Sequence, residues 1–397
     1  MPAALGPQSG EGQAAATPHA PPPTDDSRVT PAPVTSLSPP PAEHRFRFHG
    51  TAEEFFRIWI VNTLLTLLTA GIFFSWAKVR RRRYLRGSTE LMGHRFDYRA
   101  DPRRLLVGHL LVAAFFVTYS LFGTVYPVLR WAALAVGVLV FPWVIVRSLA
   151  FNAHNTLYRG LRFRFQSSLT PATIVYLLYP LALGAAVWFA IKIHPSLAVL
   201  VVAVWYPLWN WAKRRFVVSG HRLGTAYFSC QPQARRFYTA YGFAGGILIA
   251  VGLLTALLLG FVVAAITKSG VEADSSSWFI MVPLLAIYGI GWWLARAYIY
   301  SRLFNHVWNH TRLDEHRFVA TMAPDRWLSL QLVNLFAIVG SLGLLYPWAV
   351  VRSLQYAASC LAFVPAGDID SLSRLEASAG SATGDTAAEF AGFDFGL

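Results

Sequence analysis

No aspartate or glutamate occurs inside any of the long apolar runs of this sequence. Charge is scarce throughout: Asp, Glu, Lys and Arg make up 14% of the 397 residues, against about 25% in an ordinary soluble domain. Cysteine is scarcer still. Cys230 and Cys360 are too few for a disulfide framework and form no CxxC pair, so both are expected to be free thiols. Residues 1–44 contain no Phe, Trp or Tyr. No GxSxG, P-loop or dinucleotide-binding fingerprint is present.

Each absence excludes something. Acid-free apolar runs argue against a proton-coupled transporter with carboxylates inside the membrane, while leaving a channel or facilitator open. Without a catalytic fingerprint the chain is expected not to be an enzyme and to carry no cofactor. A tail without aromatics, crowded with Pro, Ala, Ser and Thr, cannot offset its ordering entropy, so 1–44 is expected to be disordered. The same holds for the Gly/Ala/Ser/Asp-rich acidic tail at 366–397. No apolar stretch precedes Arg28, the first basic residue, so no signal peptide is expected and the first apolar helix would direct insertion.

What is abundant is apolar: 55% of the residues are hydrophobic. Eight apolar segments, at 55–76, 105–126, 131–150, 172–191, 196–212, 237–266, 278–300 and 327–350, approach or exceed the roughly 20 residues that cross a bilayer as a helix. Trp and Tyr gather at their ends, as in interfacial belts. The net charge of +14 would suggest nucleic acid in a soluble protein. Here the basic residues crowd into the connections at 78–104, 147–168, 213–236 and 301–326, which the positive-inside rule assigns to the cytoplasm, so no nucleic acid is expected. Simple crossing by all eight segments is favoured and puts both termini outside. The alternative is that 55–76 and 327–350 re-enter, breaking near Gly71 and Gly343.

The basic connections repeat one another. The stretch "SWAKVRRRRYLRGSTELMGHRFDY" (75–98) meets 142–165 at a shift of 67, with Trp76 on Trp143, Arg80 on Arg147, Gly93 on Gly160 and Phe96 on Phe163. Shifts of 132 and 222 give further matches, and 45–84 overlays 317–356 without a gap at 272. The unit reads Arg-Phe, apolar helix or helices, Trp-x-x-x-Arg-x-x-x-aromatic, then a Thr-x-Leu-x-Gly turn. His221 stands where the third copy should have Thr.

The string "GIFFSWAKVRRRRYLRGSTELMGHRFDY", preceded by "RFRFHGTAEEFFRIWIVNTLLTLLTAG", resembles the YjgN-like family of bacterial inner-membrane proteins. The resemblance covers 45–363 and implies a multi-pass inner-membrane protein. It supplies no activity, cofactor or catalytic residue.

Four repeated arginines, Arg80, Arg147, Arg302 and Arg352, each follow an aromatic by four residues: Trp76, Trp143, Tyr298 and Trp348. On a helix the two share a face. Such a pair anchors a helix at the membrane interface, and a guanidinium also suits an anionic lipid phosphate. Asn62 and Asn334 are equivalent and lie mid-segment, where an amide either lines a polar path or bonds a neighbouring helix. His109 lies within a segment and has no acidic partner for a proton relay. His306 and His310 have a metal-capable spacing, with His316 nearby, but no Glu follows His306 and no metal is expected. Gly242, Gly246 and Ala250 form a small-residue stripe suited to close helix packing.

The expected fold is therefore an all-α polytopic membrane protein of about eight transmembrane helices. A degenerate internal repeat builds it, with short turn or extended elements on the cytoplasmic side. The domains are the tail 1–44, the membrane domain 45–365 and the tail 366–397. Two functions stand open. One is a transporter or channel for a small solute. The other is a non-transporting protein of the lipid bilayer that binds anionic lipid or an envelope partner through its basic junctions.

Overall fold

The computed structural model describes residues 43–269 and 278–366. The expected disordered tails lie outside the described residues, except at their inner ends. Ten helices alternate with very short strands. The helices are α1 (Ala52–Leu68), α2 (Phe74–Gly87), α3 (Pro102–Val125), α4 (Pro127–His154), α5 (Leu169–Ile193, with a π-helical turn at Ile174–Leu178), α6 (Pro195–Ser219), α7 (Ala234–Ser269), α8 (Trp278–Asn309), α9 (Pro324–Gly340) and α10 (Tyr346–Ser359). Proline opens α4, α6 and α9, where its missing N–H costs nothing.

Six helical stretches among the described residues, within α3 to α8, are long and apolar enough to cross a membrane. They stand in three hairpins, and much of each is exposed apolar side chain. The chain is a polytopic membrane protein; among the described residues six helices have the length and apolar character of a span, where about eight were expected. Segments 55–76 and 327–350 are not among the six. Each folds back as a helical hairpin, α1–α2 and α9–α10. The cause is local. Ala70 and Gly71 have φ of 48° and 93°, Leu342 and Gly343 have 52° and 92°, and glycine tolerates that region at least cost. Gly71 N–H donates back to the Thr66 carbonyl at 2.8 Å and Gly343 to Ile338 at 2.7 Å, closing the helix ends as C-caps do. The feet of both hairpins are tied alike. Tyr84 Oη donates to the Thr51 carbonyl at 3.1 Å and Tyr356 Oη to that of Ala323 at 3.4 Å.

The all-α expectation also needs correction. The strands are β1 (His44–Arg45), β2 (Arg47–Phe48), β3 (Thr89–Leu91), β4 (His94–Tyr98), β5 (Thr156–Tyr158), β6 (Leu161–Phe165), β7 (His221–Leu223), β8 (Ala226–Cys230), β9 (Thr311–Leu313), β10 (His316–Ala320) and β11 (Leu361–Val364). They form one antiparallel sheet in the order β1-β11-β10-β9-β8-β7-β6-β5-β4-β3-β2. β1 and β2 are successive halves of one extended stretch about Phe46, so the sheet closes on itself and has no edge. Arg45 pairs with Ala362 and Arg47 with Glu90, joining the two ends of the domain. Strands of two to five residues are too short for their alternation to stand out in sequence.

Every helical hairpin begins and ends on this ring, and the helices form a closed circuit above it, with α10 packed on α1. The first and last strands share the ring with the four other strand pairs. Both ends of the described domain therefore lie on the side of the basic junctions, not opposite them as simple crossing predicts.

Candidate functional site

Five phenylalanines line the ring. Phe46, Phe96, Phe163, Phe228 and Phe318 come one from each successive long strand, and four neighbouring pairs stack with centroids 6.3, 6.3, 6.3 and 6.1 Å apart. Their planes turn by only 17–26° from one to the next, so the rings lie nearly across the axis, like the leaves of an iris. Offset stacking at these distances is favourable. A second tier, Leu91, Tyr158, Leu223, Leu313 and Phe363, comes from the short strands. The 240 Å³ space at the centre is lined by these apolar side chains. Tyr158 turns its hydroxyl away to donate to the Leu91 carbonyl at 2.8 Å. Burial pushes its pKa up to about 12, so it stays protonated.

The threonine that starts each short strand fastens it to the preceding helix. Thr89, Thr156 and Thr311 donate Oγ1–H to the carbonyls of Leu85, Asn152 and Val307 at 2.9, 2.7 and 2.8 Å. His221 reproduces that bond with Nδ1 on the Val217 carbonyl at 2.6 Å, an imidazole standing in for a hydroxyl. Burial lowers its pKa.

The outer face of the ring is basic. Arg45, Arg47, Arg95, Arg162, Arg164, Arg312 and Arg317 are exposed. Arg164 lies directly across from Arg222, and Arg312 from Arg317. Like charges so placed are destabilising, and an anion would relieve them. Arg222 covers the Tyr227 ring at 3.9 Å. Asp97 is held below its ordinary carboxylate range chiefly by its bond with Arg99 at 2.6 Å.

At the helix–ring boundary three of the four predicted aromatic–arginine pairs are in contact. The guanidinium of Arg147 lies 5.6 Å from the Trp143 ring, Arg302 5.4 Å from Tyr298, and Arg352 5.1 Å from Trp348, within cation–π range. Trp76 instead stacks on Phe73 at 6.1 Å, and Arg80 is exposed. The rest of that arginine block has work inside the protein. Arg82 bonds Asn152, Arg83 donates to the Tyr98 carbonyl at 3.2 Å, and Arg86 bonds Thr156 while lying 4.4 Å from the Tyr98 ring. The block thus clamps α2 to the next unit. At the α4 junction, Trp143, Arg147, Gln166, Ser167 and Arg222 line a pocket of 580 Å³. Sequence reasoning missed Arg222, which sheet pairing alone brings there.

The intramembrane polar residues are engaged in helix contacts. Asn62 donates Nδ2–H to the Ala77 carbonyl at 3.4 Å; Asn334 donates to the Ala349 carbonyl at 3.3 Å and to Ser353 Oγ at 3.0 Å. Each pins its own hairpin. The Oδ1 of each is buried without a hydrogen-bond partner. His109 Nδ1 meets Ser75 Oγ at 2.8 Å, joining α3 to α2. His306 accepts from the Gln233 N–H at 2.9 Å, His310 Nδ1 meets the His306 carbonyl at 2.8 Å, and His316 accepts from the Ala366 N–H at 3.0 Å. The small-residue stripe does not mark the tight helix contact: a Cβ at Gly242 or Gly246 would meet nothing, whereas at Gly291 it would press on Val251 at 3.0 Å. Cys230 and Cys360 are free and buried.

Residues 43–390 match a protein family described as bacterial protein of unknown function (DUF898). The chain is 27% identical over 361 residues to the inner membrane protein YjgN of Salmonella typhimurium, covering 83% of this chain and 90% of that protein. It is 31% identical over 152 residues to the inner membrane protein YjgN of Escherichia coli O157:H7, and 29% identical over 160 residues to that of Escherichia coli K12. These two matches cover 38% of this chain, and 38% and 40% of those proteins. No solved structure matches the chain.

Proposed function

Because this chain belongs to the DUF898 family of bacterial proteins and is an inner-membrane protein, a membership that brings no activity with it, we propose a function from geometry alone: a non-transporting, non-enzymatic membrane protein that binds anionic lipid headgroups through its basic junctions. In this reading the sheet is five copies of one unit, and the closed ring lies on the cytoplasmic side, where the positive-inside rule puts its arginines.

The 580 Å³ pocket at the α4 junction carries the reading. It gathers Arg147, packed on Trp143, with Arg222 from the sheet and the polar side chains of Gln166 and Ser167. Guanidinium groups beside an aromatic at headgroup depth suit a phosphate.

The competing reading is a solute path through Asn62, Asn334 and His109. It finds less support, because each donates or accepts within a helix contact and the ring lumen offers a solute no polar group. Co-sedimentation of proteoliposomes or nanodisc binding with phosphatidylglycerol against phosphatidylcholine tests the proposal. Selective retention of the anionic lipid, weakened in Arg147→Gln/Arg222→Gln, is expected; equal retention of both lipids would sink it.

A further inference from the structure

A cleft of 650 Å³ opens between α1 and α2. The other short hairpin is built on the same plan, and its differences are informative. Residues 272 apart correspond, as the equal bonds of Asn62 and Asn334 to the carbonyls of Ala77 and Ala349 attest. In α9–α10 the gap is zipped: Gln331 Nε2 and Asn334 Nδ2 both donate to Ser353 Oγ, at 3.1 and 3.0 Å. The corresponding residues of α1–α2 are Trp59 and Arg81. There Arg81 donates to Tyr346 Oη at 3.4 Å and Trp59 packs on the same ring at 6.3 Å, and both line the cleft. Lys78 also lines it, where the other hairpin has Val350.

The cleft has a direction. α1 runs away from the ring and α2 returns to it, so Arg81 lies toward the ring, Lys78 sits mid-cleft with its ammonium 6.0 Å from the Phe74 ring, and Leu67 lies at the tip. Cationic and aromatic groups at one end grade into apolar groups at the other. Between them sits Asn62, 7% exposed, whose Oδ1 has no hydrogen-bond partner.

We propose that the α1–α2 cleft is the binding site for a single anionic phospholipid. Its phosphate lies on Lys78 and Arg81, and an acyl chain runs past Leu67 and Phe74 to the hairpin tip. This rests on the anionic-lipid reading above and gives it a second, more selective site.

Native mass spectrometry of the full chain in mild detergent tests it, with phosphatidylglycerol, phosphatidylcholine or inorganic phosphate added. The wild type is expected to retain one phosphatidylglycerol that excess inorganic phosphate does not displace. Lys78→Val/Arg81→Ser installs the residues of the other hairpin and so should fold. It is expected to lower that retention roughly tenfold, as loss of charge-assisted bonds does. Arg147→Gln/Arg222→Gln weakens retention at the junction but leaves this one molecule in the cleft. Unchanged retention in Lys78→Val/Arg81→Ser overturns the cleft; if the junction variant loses the lipid instead, the junction reading survives alone. Displacement by inorganic phosphate also overturns the proposal, because the recognised group is then the free anion. Retention of neither lipid by the wild type removes both readings.

Discussion

Asn62 donates its side-chain N–H to the carbonyl of Ala77 at 3.4 Å, across a hairpin that turns back inside the membrane domain. The same bond joins Asn334 to Ala349, with Ser353 added. An amide that closes a hairpin is a structural device, and its removal should be read in stability.

The two asparagines should respond differently. Asn334→Leu loses two hydrogen bonds and relieves one orphaned oxygen, so a net cost of about 1 kcal/mol is expected. Asn62→Leu trades one long bond for the same relief and should be close to neutral. Thermal unfolding in detergent, followed by size-exclusion chromatography, separates the two; a larger loss at Asn62 than at Asn334 would refute the assignment.

Phe163 stacks between Phe96 and Phe228 at 6.3 Å on each side. Phe163→Ala is expected to cost about 3 kcal/mol, because it opens the aqueous-side core and breaks two stacked pairs. Phe163→Leu should recover much of this. Denaturation midpoints of the two variants give the comparison; equal midpoints for Ala and wild type would mean that the iris contributes nothing.

The hairpin turns depend on backbone rather than contacts. A Cβ at Gly71 or Gly343 would meet no atom within 4 Å, yet φ is 93° and 92°. Gly71→Ala and Gly343→Ala should each cost about 1 kcal/mol through backbone strain alone. Like effects at both sites are expected in unfolding measurements, and a neutral pair would show that the turns are not constrained.

His221 gives the ring a pH dependence. Burial lowers its folded-state pKa, so the unfolded chain takes up the proton first. Stability is then full above the unfolded value, about 6.5, and falls as pH drops through the lower folded value. His221→Thr keeps the bond to Val217, in the manner of Thr89, Thr156 and Thr311, and removes the titration. Unfolding between pH 7 and 5 should show a smaller acid loss in the variant; equal loss in both would exclude His221 as its source.

Much of this was legible in the residues themselves. The recurring Arg-Phe and Trp-x-x-x-Arg marked the strands and helix ends, and the apolar runs marked α3 to α8. What escaped was long-range. β3 and β4 have three and five residues, and each is stable only because strands of neighbouring units pair with it. Arg222 reaches the Trp143 pocket through β6–β7 pairing, and no local spacing signals that. Gly71 and Gly343 were visible as breaks, but the acidic excess of the tails favoured crossing, and the positive φ of Ala70 and Leu342 that folds each segment into a hairpin has no local signal.

The central claim is that all strand pairs lie on one face of the membrane, below six crossings and two hairpins that re-enter. Single cysteines at His94, Arg162, Thr225 and Glu315, all exposed on the ring, test it most directly. Native Cys230 and Cys360 are buried and give little background. With a membrane-impermeant maleimide, all four should label in inverted vesicles and none in intact spheroplasts. Labelling of any one from the opposite side would contradict the closed ring.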